Sequence, residues 1–283
     1  MQYERRKKEA LPVLAICYDF DKTLSPDDMQ AQGYIQSVGF DTETFWAETN
    51  ELSRRNDMDS NLSYMLKMVR EAEGNLVLTR SALQDYGSRV KLYPGVTDWF
   101  SRVREFGKEN GVIVEHYIIS SGLKEMIEGT AIAGEFERIY ASSFYYNSRG
   151  VAVWPAQVVN FTAKTQYLFR IEKGTLDIND PAVNEHFARS DYRVPFRNMV
   201  YIGDSETDIP CMSLVHHYGG HSIGVYDETR PGALEKMEQM KSENRIKYAV
   251  PCDYRSGSAL DGLMKKIIIK TAAFEALENQ ASV

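Results

Sequence analysis

Short apolar runs recur along the chain at residues 12–18, 117–120, 139–142, 198–202 and 222–226, with a weaker one at 248–250. They lack strict alternation, as expected of strands buried on both faces of a parallel sheet. Between them, apolar positions return with helical spacing at residues 96–109, after a Pro94-Gly95 turn, and at 124–129, 165–173, 231–241 and 258–276. Strand and helix in alternation predict an α/β fold, a parallel sheet with helices on both faces. The tail beyond Ala276 is expected to fray.

Residues 27–92 break this rhythm, with helical patterns at 28–37, 42–55, 62–73 and 79–90 and no convincing strand. A helical insertion is the expected reading. Within it Leu62, Met65, Leu66 and Val69 share one face, which suits a core belonging to the insertion itself. Arg54, Arg55, Lys67 and Arg70 read as a charged, solvated face.

The chain has 283 residues, 43% hydrophobic and 26% charged, as in ordinary soluble globular proteins, and is long enough for one domain plus a smaller insertion. A net charge of -7 argues against a nucleic-acid partner, which calls for a basic field. Cys17, Cys211 and Cys252 are odd in number and lack metal-ligand spacing, which fits core thiols in a reducing compartment. Basic residues Arg5 to Lys8 precede an apolar run at 11–17, an order shared with signal peptides. That run is short and leads straight into Asp-Phe-Asp-Lys-Thr, so a buried strand explains it better. No run approaches the roughly 20 apolar residues of a membrane-spanning helix. No membrane partner is expected, and a cytoplasmic location is.

The chemistry begins where the first strand ends, at Asp19-Phe20-Asp21-Lys22-Thr23. Two acids two residues apart on an extended chain face one space, and strand ends near a switch point form the ligand crevice of open α/β sheets. Alone, the pair reads equally well as turn chemistry. Three further features follow in order: Ser120-Ser121-Gly122 after an apolar run, Lys164 in Phe-Thr-Ala-Lys-Thr, and Gly203-Asp204-Ser205-Glu206-Thr207-Asp208.

Together these resemble the four motifs of the haloacid dehalogenase superfamily of hydrolases, over residues 12–226. The Ser-Ser-Gly motif, the Leu-Tyr-Pro-Gly-Val segment and the place of the insertion look most like the phosphoserine-phosphatase-like branch. The resemblance implies a Rossmann-like core at residues 1–26 and 93–283, with residues 27–92 as a small helical cap that closes over the site. It further implies a magnesium-dependent phosphatase acting on a small-molecule phosphate ester. Asp19 would attack phosphorus, forming an aspartyl-phosphate. Asp21 would protonate the leaving oxygen and then take a proton from water. Lys164 would pair with Asp19 and the phosphoryl group. Mg²⁺ would be held by Asp19, the backbone carbonyl of Asp21 and Asp204, with Asp208 at its waters. Ser120, with backbone N–H groups around Ser121 and Gly122 at a helix start, would cradle the phosphate. Thr23, counted with them as phosphate-binding, would order the loop after the two acids through side-chain-to-backbone hydrogen bonding.

A phosphotransferase would use the same core residues, and a binding protein that has lost turnover would keep the fold. Dehalogenation has no need of Asp21. The five histidines have no zinc-ligand spacing and no motif partner, so they read as structural or surface residues. The composition leaves the oligomeric state open.

Overall fold

The structure is a computed structural model that describes residues 3–281. Seven strands form one sheet in the order β4-β3-β2-β1-β5-β6-β7. They are β1 (Val13–Tyr18), β2 (Ile113–Leu123), β3 (Arg138–Tyr146), β4 (Ala152–Gln157), β5 (Met199–Gly203), β6 (His221–Tyr226) and β7 (Tyr248–Pro251). All neighbours pair in parallel except β3 and β4. The expected α/β sheet is therefore present.

Every residue of β1 is buried, because the strand is paired on both edges and covered on both faces. Its side chains alternate between two cores. Leu14, Ile16 and Tyr18 join the helices α5 (Val96–Glu109) and α10 (Ala259–Ala281). Val13, Ala15 and Cys17 join α7 (Thr165–Lys173), α8 (Ile209–His217) and α9 (Ala233–Ser242). All three cysteines are buried free thiols, as expected. The C-terminal helix runs on to Ala281, so the stretch after Ala276 is ordered helix up to that residue instead of a frayed tail.

Strand β4 went unforeseen. It is an edge strand with Trp154 65% exposed and a proline in its middle, features that erase the alternation a half-buried strand would show.

The inserted stretch is helical: α1 (Tyr34–Ser37), α2 (Thr42–Asn56), α3 (Ser60–Ala72) and α4 (Arg80–Ser88). Its apolar side chains do not form a separate core. Tyr34, Phe45, Tyr64, Met65, Met68 and Leu83 continue the cluster that contains Leu14 and Ile16. The buried face of α3 is also rotated from the expected one. Of Leu62, Met65, Leu66 and Val69, only Met65 is fully buried, while Asn61, Tyr64 and Met68 point inward. Lys67 is buried too, its ammonium bonded to Glu48 and Glu71 and lying over the Phe40 ring. Arg54 and Arg55 are exposed and paired with Glu51. Among the described residues no helix is long and apolar enough to cross a membrane.

Candidate active site

The chain leaves β1 for β2 on one side and later adds β5 on the other, so the switch point lies between β1 and β5. Side-chain groups at the carboxyl ends of these two strands share one crevice. Asp19 follows β1 directly, and its N–H still bonds Ile202 O in β5 at 2.9 Å. Beyond it the chain turns sharply. Phe20 O accepts from the N–H groups of Thr23, Leu24 and Ser25, and Lys22 takes a left-handed φ of 58°.

Lys164 ends a short 3-10 turn, Phe161–Lys164, and is fully buried. Its Nζ lies 2.7 Å from Asp208 Oδ1 and 3.3 Å from Asp19 Oδ1. Burial opposes the ammonium charge, but Asp19 and Asp208 outweigh that and raise its pKa. Asp208 is held from several sides, since Tyr201 OH donates to Oδ1 at 2.8 Å and Ser205 Oγ to Oδ2 at 3.0 Å. Gly203 makes this packing possible: a Cβ there would sit 2.6 Å from Asp208 Cγ. The glycine of the Gly-Asp motif is thus required by the carboxylate five residues on.

Asp19, Asp204 and Asp208 each bring an oxygen within 4.8 Å of the others. Burial pushes Asp204 up to about 8, helped by Asp208 and Asp19. Asp19 Oδ1 is buried and faces the Lys164 ammonium at 3.3 Å without a hydrogen bond of regular geometry. An all-oxygen donor set of three clustered acids against a single ammonium fits a hard divalent cation such as Mg²⁺.

Asp21 turns the other way. Its Oδ1 accepts from Met29 N–H at 2.9 Å, at the start of the insertion. Burial raises its pKa well above the ordinary carboxyl value, and Asp28 and Asp19 add to that. Asp19 is raised by burial as well, but Lys164 offsets much of this and leaves it at about 6. The two neighbouring acids therefore differ in surroundings: the Lys164 ammonium counteracts burial at Asp19, whereas burial and two acidic neighbours act together to favour the protonated form of Asp21.

The Ser-Ser-Gly segment is the bulged end of β2, and α6 (Lys124–Gly129) starts only after it. Its N–H groups are thus not at a helix start. Gly122 N–H donates to Ser120 Oγ at 3.1 Å, while Ser121 Oγ is buried and unpartnered. Thr23 differs from expectation too, since its hydroxyl reaches the Asp204 side chain at 3.4 Å and no backbone group. It joins the first motif to the last.

Reading the sequence alone missed Tyr201, hidden in a uniformly apolar strand, and Tyr64 of α3, whose hydroxyl donates to Ser121 O at 2.9 Å. Neither has a local signal: Tyr201 bonds a carboxylate seven residues on but sits in a strand that reads as uniformly apolar, and Tyr64 acts through a partner 57 residues away. The histidines stay outside the site. His116 is buried beside Tyr18 and His221 beside Lys270, and burial lowers them to about 3 and about 4.

A sheet with this switch point, three acids at its strand ends and a buried lysine among them places a charged site where open α/β folds bind their ligands. Residues 16–213 match the haloacid dehalogenase-like hydrolases, and the chain belongs to that family. An uncharacterized protein of Borreliella burgdorferi is 28% identical over 287 residues, covering 91% of this chain and 97% of that one. A HAD family hydrolase of Salmonella enterica serovar Typhi superposes with a TM-score of 0.56 at 17% identity, covering 92% of this chain and 73% of the other. A phosphoserine phosphatase captured as a phospho-aspartyl intermediate analogue gives 0.51 at 14% identity, covering 90% and 99%. At these identities the structural likeness is one of fold.

Proposed function

We propose that the chain is a magnesium-dependent phosphatase that hydrolyses a small phosphate monoester through a phosphorylated Asp19. The observation that carries this reading is the contrast at Asp19 and Asp21. The Asp19 carboxylate lies 3.3 Å from the fully buried Lys164 ammonium, whereas burial and the neighbouring acids Asp28 and Asp19 raise the pKa of Asp21 and favour its proton-carrying form.

In the first step a carboxylate oxygen of Asp19 bonds to phosphorus as the ester P–O bond breaks, and the Asp21 proton passes to the departing oxygen. In the second, Asp21 takes a proton from water as that water's oxygen bonds to phosphorus and the Asp19–phosphorus bond breaks. Lys164 holds Asp19 in line and offsets charge on the phosphoryl oxygens, and Ser120 supplies a hydroxyl beside Asp19. Ser121 and Gly122 lie next to it as further phosphate contacts. Asp19, Asp204 and the Asp21 carbonyl would hold Mg²⁺, with Asp208 at its waters; when bound it neutralises phosphate charge and polarises the phosphoryl oxygens. Residues 27–92 act as the cap, attached to the phosphate-binding segment by the Tyr64 hydrogen bond.

The test is phosphate release from a panel of small esters with Mg²⁺ and with chelator. Wild type is expected to turn over only with metal, and Asp19→Asn to lose at least about a thousandfold in kcat. Full activity in Asp19→Asn would sink the mechanism. Product analysis with added alcohols should give free phosphate; phosphorylated alcohol as the main product would favour a phosphotransferase.

A further inference from the structure

Beside the acid cluster lies a cleft of about 290 Å³. It opens at the carboxyl ends of β5 and β6, next to Asp204, and its walls come from the first-motif turn, the segment after β6 and the first turn of α9. Three cations line it: Lys22, Arg230 and Lys236. The acids Asp204 and Asp227 line it as well.

The three cations differ in how they are engaged. Lys22 Nζ is 2.8 Å from Asp28, and Arg230 bonds Pro26 O and lies 3.6 Å from Asp227. Lys236 has no carboxylate within ion-pair distance among the described residues; its Nζ reaches only the backbone oxygen of Asp204, at 3.4 Å. An ammonium left uncommitted next to an acid that faces the phosphoryl site is placed to receive an anion. Tyr93, Val225 and Met237 supply apolar wall for a short carbon chain between the two ends.

We propose that this cleft binds a second anionic group on the substrate's leaving portion, so that the preferred ester is a small phosphomonoester with a carboxylate or a second phosphate at its far end. The inference rests on the phosphatase reading. It assigns substrate selection to the core, through Lys236 with Arg230 and Lys22, in addition to any contribution from residues 27–92.

Binding can be tested apart from turnover by calorimetric titration of the Mg²⁺-loaded full chain with three non-hydrolysable probes. These are propylphosphonate, 3-phosphonopropionate and propane-1,3-bisphosphonate, equal in carbon chain and different at the far end. Wild type should bind one or both of the doubly anionic probes about ten- to a hundredfold tighter than propylphosphonate, the scale of a charge-assisted hydrogen bond. Which of the two is preferred identifies carboxylate or phosphate. Lys236→Glu should erase the preference and Lys236→Arg should keep most of it, with circular dichroism checking that each is folded. Equal affinity for all three probes in wild type, or an undiminished preference in folded Lys236→Glu, overturns the proposal. Release of phosphate from p-nitrophenyl phosphate, run in parallel, tests the phosphatase reading alone: its failure with the binding preference intact removes the activity and leaves the anion subsite standing.

Discussion

At the scale of single residues, Asp19 and Asp21 stand two positions apart and meet opposite surroundings. The lysine at 3.3 Å belongs to Asp19, whereas Asp21 faces Met29 N–H and the charge of Asp28. If Asp21 supplies the leaving-group proton, its importance depends on how much the leaving group needs one. Asp21→Asn should therefore lower kcat/KM, which reports the steps through aspartyl-phosphate formation, by about 10²–10⁴ on alkyl phosphates, the usual worth of a general acid, and by far less on p-nitrophenyl phosphate, whose phenolate departs unprotonated. Equal losses on both ester types would count against the assignment. The motif acids and Lys164 were legible as a set because their residue types and order are unusual together. Tyr201 was not, since a tyrosine in a buried strand carries no mark of the carboxylate it bonds.

At the scale of elements, helix positions were readable because the apolar period survives burial. The expected span of α5, at residues 96–109, agrees with the observed Val96–Glu109. Which face of a helix is covered was less readable. On α3 the stripe of Leu62, Leu66 and Val69 lost to Tyr64 and Met68, because the sheet and neighbouring helices surround this helix more widely than a two-layer pattern assumes. The crossing of α4 with α6 shows what else the local pattern omits. A Cβ on Gly87 would lie 1.9 Å from Met126 O, so the two helices touch backbone to backbone. Helix propensity alone would make Gly87→Ala stabilising by up to about 1 kcal/mol. The contact should reverse the sign and cost about 1–3 kcal/mol, measured by urea unfolding, because the helices must separate. A more stable Gly87→Ala protein would show that the crossing is looser than the structure has it.

At the scale of the whole molecule, the site gathers charge that the fold must accommodate. Burial raises Asp19 to about 6 and Asp204 to about 8, above their unfolded values. Between an unfolded carboxyl pKa of about 4 and these values the folded protein binds more protons than the unfolded one, so the contribution of these groups to stability falls as pH rises through that window. A divalent cation competes with those protons for the same oxygens. Added Mg²⁺ should therefore raise Tm by several degrees at about pH 8, where saturation at 100 times Kd is worth about 2.7 kcal/mol, and by much less at about pH 5. An equal shift at both pH values would mean that the ion binds elsewhere.

The order of most strands and helices, the buried thiols and the family motif residues were determined by the sequence itself, because periodicity and residue type act locally and survive in any fold that buries them. Edge strand β4, the continuity of the inserted helices with the main core, the pairing of Thr23 with Asp204 and the cation-lined cleft at Lys236 were decided only in three dimensions. Each depends on groups far apart along the chain whose approach is set by sheet order and helix packing, quantities to which no local window of sequence responds.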